Sequence, residues 1–189
     1  MPIHYRRSRL DFKCTFVTTS CHKHLPLLAY PNCYQHLATS INRYAAIYDT
    51  DILSYVLMPN HFHFLAYFKK ENKLSDLMRD IKKQSSIVIR TELQNCDHFN
   101  VRKIKYRSRE QFFKIWQDGF YDYPIYTSEI LLQKLNYIHN NPLQDKWKLA
   151  NDAASYKYSS AAFYEYLEPG LVNTEFFTKY FSVPIAKKI

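Results

Sequence analysis

The chain has 189 residues, 17% of them aromatic, and 26 Lys and Arg against 17 Asp and Glu leave it at +9 with a pI near 9.3. That length suits one domain with some elaboration around a real core, and no apolar run reaches the roughly 18 residues a membrane span needs. The excess of base favours a polyanionic partner, nucleic acid ahead of an anionic membrane surface.

Seventeen tyrosines and thirteen phenylalanines lie among the bases. Aromatic faces stack on unpaired bases, which favours single-stranded over duplex targets. The first ten residues, MPIHYRRSRL, are basic with no apolar run behind them. A secretory signal is therefore not expected, and the expected compartment is cytoplasmic. Cys14, Cys21, Cys33 and Cys96 contain no Cys-x-x-Cys pair. Cys21-His-Lys-His24 with Cys14 matches no common zinc module, so buried free thiols are expected.

In chain order, Phe12 to Ser20 is β-branched and aromatic and reads as a strand. After a proline-bearing connection, Asn32 to Tyr48 carries Tyr34, Leu37, Ala38, Ile41, Tyr44, Ala45 and Tyr48 at three-and-four spacing, a core-facing helix. Asp51 to Met58 is apolar on both faces, as in a central strand, and His61 to Phe68 is its hairpin partner. Leu74 to Leu93 is a second helix with an inner stripe of Leu74, Leu77, Met78, Ile81, Ser85 and Val88. Its other face carries Arg79, Lys82, Lys83, Ser86 and Arg90, a stripe that suits a phosphate backbone or a plain solvated face. Residues 94–118 read as an irregular loop with a basic patch at Arg102, Lys103, Lys105, Arg107 and Arg109, and Gln111 to Trp116 as a short strand or helix. Phe120 to Ile125 reads as a strand, placed at an edge by Pro124. Thr127 to Pro142 is a third helix, with Thr127 or Ser128 as N-cap and Leu131, Leu135 and Ile138 buried.

Two features carry chemistry. His61 and His63 are two apart on a strand and so share a face, while Phe62 and Phe64 turn the other way into a core. Paired imidazoles suit a metal ion, and they also suit a solvated strand face. Tyr137 and Asn141 are four apart, one helical turn above the other, away from the buried stripe. The element order predicts an α+β fold. Its core is a ferredoxin-like (split βαβ) antiparallel four-stranded sheet with helices on one face, followed by a C-terminal helical extension.

MPNHFHFL, then YIHNNPL, then YKYSS, together with WQDGFYD at Trp116 to Asp122, resemble the single-tyrosine HUH transposases. Among these the chain is most similar to the REP-associated tyrosine transposases, over roughly residues 8 to 165. The resemblance implies a catalytic domain over 8–142, and the aromatic-rich remainder, 143–189, is expected to pack on it as short helices. It implies Tyr137 as nucleophile and His61, His63 and Asn141 as ligands of a divalent ion, Mg²⁺ or Mn²⁺. It implies cleavage and rejoining of single-stranded DNA through a 5′-phosphotyrosine, with hairpin DNA as partner and the protein acting as monomer or homodimer. Arg79, Lys82, Lys83, Arg90, Arg102, Lys103, Lys105 and Arg107 would then hold the DNA. Two imidazoles and an amide are soft for Mg²⁺, so weak ion binding without DNA and better support from Mn²⁺ are expected. The competing readings are a relative that binds hairpin DNA without cutting it and an unrelated metal-dependent hydrolase, which Tyr137→Phe would leave active.

Overall fold

In the computed structural model the chain is described over residues 12–96, 105–108 and 111–182. The basic leader and Arg102, Lys103 and Arg109 lie outside these residues. The elements are β1 (Cys14–Ser20), α1 (Cys33–Ile47), β2 (Thr50–Met58), β3 (His61–Phe68), α2 (Leu74–Gln94), β4 (Lys105–Ser108), β5 (Gln111–Phe113), β6 (Tyr121–Ile125), α3 (Ser128–Asn140) and α4 (Ala161–Tyr166). The main sheet has the order β2-β3-β1-β6, with every neighbouring pair antiparallel. β1 and β2 therefore run the same way with β3 between them, the split βαβ of a ferredoxin-like fold. β6 is an edge strand, which accommodates Pro124. Where an irregular loop was expected, β4 and β5 pair as a two-stranded ribbon.

Two apolar layers sandwich the sheet. On one face Phe62, Phe64 and Phe68 of β3 and Val17 of β1 pack with Leu37 and Ile41 of α1 and with Leu77, Met78 and Ile81 of α2. The second half of α2 buries Ile89 and Leu93 rather than Val88. A period of 3.6 permits either phase, and contact with the sheet selects the i, i+4 row. On the other face Phe16, Val56 and Leu65 pack with Leu131, Leu135 and Ile138 of α3. The first two helices thus share one face as expected, and the third covers the opposite one. Its N-cap is Thr127, whose hydroxyl accepts from the Ile130 amide at 3.3 Å.

The turn Pro59-Asn60 that delivers the chain to His61 is held by the residues after β1. Leu28 N donates to Pro59 O at 2.9 Å and Cys21 N to Asn60 O at 2.7 Å. A register shift between Ile52 and Ser54 marks a bulge in β2, and it turns Leu53 and Ser54 both towards α3. The free edge of β2 is covered by the C-terminal segment. Leu57 N donates to Tyr158 O at 2.8 Å, Ser160 N to Tyr55 O at 3.0 Å and Glu175 N to Ile52 O at 2.9 Å. Satisfying the edge in this way removes a template for pairing with other chains. Cys14, Cys21 and Cys33 are buried free thiols and Cys96 is partly buried. Among the described residues no helix is long and apolar enough to cross a membrane.

The C-terminal segment also closes over the first core. Gly170 lies against the fully buried Tyr55, and a Cβ there would run into the Tyr55 hydroxyl with Ser159 O behind it. Gly170→Ala should therefore lower stability by about 1–3 kcal/mol through overpacking. Urea unfolding measures this, and an unchanged midpoint would mean that Tyr55 has room to move.

Candidate active site

Strand alternation puts His61 and His63 on the α3 side of β3, with Phe62 and Phe64 in the opposite core. The two imidazole centroids are 4.7 Å apart at an interplanar angle of 75°. His63 is 4% exposed and stacks on Phe16 at 5.4 Å. His61 lies 5.7 Å from Trp147, which follows α3 and covers it.

The tautomer of His61 is set by its neighbour. Asn60 Nδ2 donates to His24 O at 3.0 Å, which turns its Oδ1 towards His61 Nδ1 at 2.6 Å. His61 Nδ1 therefore carries the proton and donates, leaving the Nε2 lone pair for a ligand. Burial holds His61 down to about 4 and His63 well below its ordinary value, and Lys134 and Lys146 push His63 the same way. Both rings are neutral at physiological pH, the state in which imidazole binds a metal.

Asn141 reaches this pair from the far end of α3, where the helix tightens into a 3₁₀ turn at Asn141–Leu143. Its Nδ2 is 3.3 Å from His63 Nε2. His63 Nδ1 and Asn141 Oδ1 are both buried without a partner. Such orphaned polar atoms cost about 1–3 kcal/mol each, so the cluster is set up for something more than its own hydrogen bonds. Among the described residues no three His, Cys, Asp or Glu side chains stand together to hold a metal. A third protein ligand here would have to be an amide, and two neutral imidazoles plus an orphaned amide oxygen fit a cation.

Tyr137 stands edge-on to His63 at 5.2 Å and to Phe16 at 5.9 Å, with 43% of its surface exposed. Asn141 is only 2% exposed. The two share a helix face as expected, one buried and the other open. Tyr137, Asn141, His61 and His63 therefore meet, although more than seventy residues separate the two pairs.

The expected DNA-binding cations of α2 do not join them. Arg79, Lys82, Lys83 and Arg90 lie on α2, across the sheet from the histidines. Arg79 is paired with Asp76 and Asp80, and Lys82 donates to Gln117 O at 2.7 Å and to Gly119 O. With Lys83, Arg90 and Lys114 they line a groove between α2 and residues 114–120. Lys105 and Arg107 lie on β4. Among the described residues the bases near the histidines are Lys134 and Lys146, and the Lys134 ammonium sits 4.9 Å from the Phe16 ring and 5.0 Å from that of Tyr123. The sequence places Lys134 on the helix face of Tyr137 and Asn141 but gives it no role, and it gives none to Lys146 or to Asn60, Phe16, Trp147 and His139. Of the four, only Asn60 and His139 had a local signal, each being part of a motif.

Burial lowers His139 to about 4 as well. An unfolded histidine titrates near 6.5, so between about pH 6.5 and 4 the unfolded chain binds protons that the folded one refuses. The stability from neutral His61 and His139 is fully present above about 6.5 and falls as pH drops towards 4, by something on the order of 3 kcal/mol for each. Urea midpoints of the metal-free protein should fall steadily from pH 7 to pH 4.5. A flat profile there would mean that the rings are hydrated.

A family model for IS200-like transposases matches residues 8–141. Among solved structures, a REP-associated tyrosine transposase bound to a REP hairpin aligns with a TM-score of 0.62 at 20% identity, over 85% of each chain. A putative transposase from Deinococcus radiodurans R1 aligns with a TM-score of 0.46 at 13% identity, over 67% of this chain and 88% of that one. No curated protein matches the sequence. The first structural likeness extends the fold past residue 141, and the family match takes in all four residues that converge at the site, so the chain belongs to the IS200-like transposase family.

Proposed function

We propose that the protein cleaves and rejoins single-stranded DNA with Tyr137 as nucleophile. The observation that carries this reading is the convergence of Tyr137 of α3 and Asn141 at its C-cap on His61 and His63 of β3, with the tyrosine exposed and His63 Nδ1 and Asn141 Oδ1 buried and unsatisfied. The Tyr137 oxygen bonds to the scissile phosphorus as the bond from phosphorus to the 3′-oxygen breaks. The phenolic proton passes to water and the departing 3′-oxygen gains one. The product is a 5′-phosphotyrosine, and attack on it by the 3′-hydroxyl of another strand reverses the exchange and joins the DNA.

His61, His63 and Asn141 would hold a divalent cation, Mg²⁺ or Mn²⁺, which when bound supplies charge stabilisation to the phosphate oxygens. The donor set contains no carboxylate, so the free protein should hold the ion weakly. Calorimetric titration should show millimolar-range affinity, which corresponds to about −4 kcal/mol, with Mn²⁺ above Mg²⁺. Tight Mg²⁺ binding to the free protein would contradict the ligand set.

The substrate in this reading is single-stranded DNA carrying a hairpin, as in the REP hairpin bound by the structural neighbour. The net charge of +9 and the bases flanking the site, Lys134 and Lys146, support a polyanion. The groove of Lys83, Arg90 and Lys114 lies across the sheet from the site, so it suits a part of the DNA away from the scissile bond.

A labelled pool of hairpin-bearing single-stranded oligonucleotides, incubated in Mn²⁺ and run on a denaturing gel, tests the reading. Wild type should give a covalent protein–DNA band that Tyr137→Phe and His61→Ala abolish. Cleavage that survives Tyr137→Phe would move the nucleophile to water, as in a hydrolase. Binding of the pool with no cleavage would leave a relative that only binds hairpin DNA.

A further inference from the structure

α3 carries Tyr137 and Asn141 on one side and His139 between them in sequence. At about 100° per residue, His139 stands roughly 200° around the helix from each. It is 6% exposed, and its Nε2 lies 3.2 Å from Ser54 Oγ and 2.9 Å from Ser160 Oγ, the two hydroxyls being 3.2 Å apart. Ser160 Oγ also accepts from Tyr55 N at 3.0 Å. One buried polar triangle thus joins the helix to the bulge of β2 and to the segment that covers the β2 edge. The YIHNNPL and YKYSS motifs meet here, His139 coming from the first and Ser160 from the second.

Leu131, Leu135 and Ile138 hold α3 against the sheet, but apolar contact is non-directional and leaves the rotation of a helix soft. Hydrogen bonds to fixed hydroxyls have direction. A turn of roughly 10° about the helix axis carries a side-chain tip about 1 Å, and misplacement on that scale can cost about 10²-fold in rate. We propose that His139 is a positioning residue. Through Ser54 and Ser160 it sets the rotation of α3, and with it the place of the Tyr137 ring and the Asn141 amide beside His61 and His63. The inference rests on the reading of Tyr137 as nucleophile.

The test uses the full chain as wild type, His139→Leu, His139→Gln and Ser160→Ala, with two readouts. The first needs no DNA. In protein labelled with 3-fluorotyrosine, the ¹⁹F resonance of Tyr137 is assigned by its loss in Tyr137→Phe. That ring is edge-on to His63 at 5.2 Å and to Phe16 at 5.9 Å, so its shift reports its placement. The second is single-turnover adduct formation with the labelled hairpin pool, beside equilibrium binding of the same pool to the same proteins.

His139→Leu should move or broaden the Tyr137 resonance and slow adduct formation about 10- to 100-fold, with pool binding kept within about twofold. His139→Gln, whose amide reaches the same hydroxyls, should restore both. A folded His139→Leu with the wild-type resonance and rate would overturn the proposal, and so would equal losses of rate and binding. If His139→Leu does not fold, Ser160→Ala carries the same readouts. If wild type forms no adduct, the reading of Tyr137 as nucleophile fails, and the ¹⁹F shift alone decides whether His139 places the helix.

Discussion

β3 lies inside the sheet with a dry layer on each side, and the site depends on that placement. Period-two alternation sends Phe62 and Phe64 into the core beneath α1 and α2. The same alternation leaves His61 and His63 on the α3 face, in surroundings that penalise a charged imidazole. The rings are thereby kept neutral, with the His61 Nε2 lone pair left for a ligand. A solvated strand face would carry the same residues without that electrostatic consequence.

The site is built from neutral groups and positive surroundings. Two imidazoles, an amide and a phenol converge, with Lys134 and Lys146 close enough to depress His63 further. An anion entering this space meets no carboxylate of the cluster. The basic face on α2 is separated from it by the full thickness of the sheet, and there Arg79 is engaged with carboxylates and Lys82 with backbone carbonyls.

The segment after α3 does more than fill space. It supplies hydrogen bonds to the exposed edge of β2, Trp147 covers His61, and Ser160 joins the buried triangle behind the tyrosine helix. The geometry of the site thus draws on residues well beyond the strand and helix that present its side chains.

Local periodicity was enough for much of this. The bounds of β3, the stripes of α1 and α3, the Thr127 cap, the edge position of β6 and the shared face of His61 and His63 all follow from backbone geometry that acts over a few residues. Motif resemblance pointed to the four residues that meet. What local pattern could not carry was anything that depends on contacts between distant segments. The phase of the second half of α2, the β4–β5 ribbon, the bulge that turns Ser54 towards His139 and the separation of the α2 bases from the histidines are of this kind. Sequence by itself determined which side chains share a face. Only the tertiary structure decided which faces meet and which of their polar atoms lose water, because both depend on packing between segments tens of residues apart.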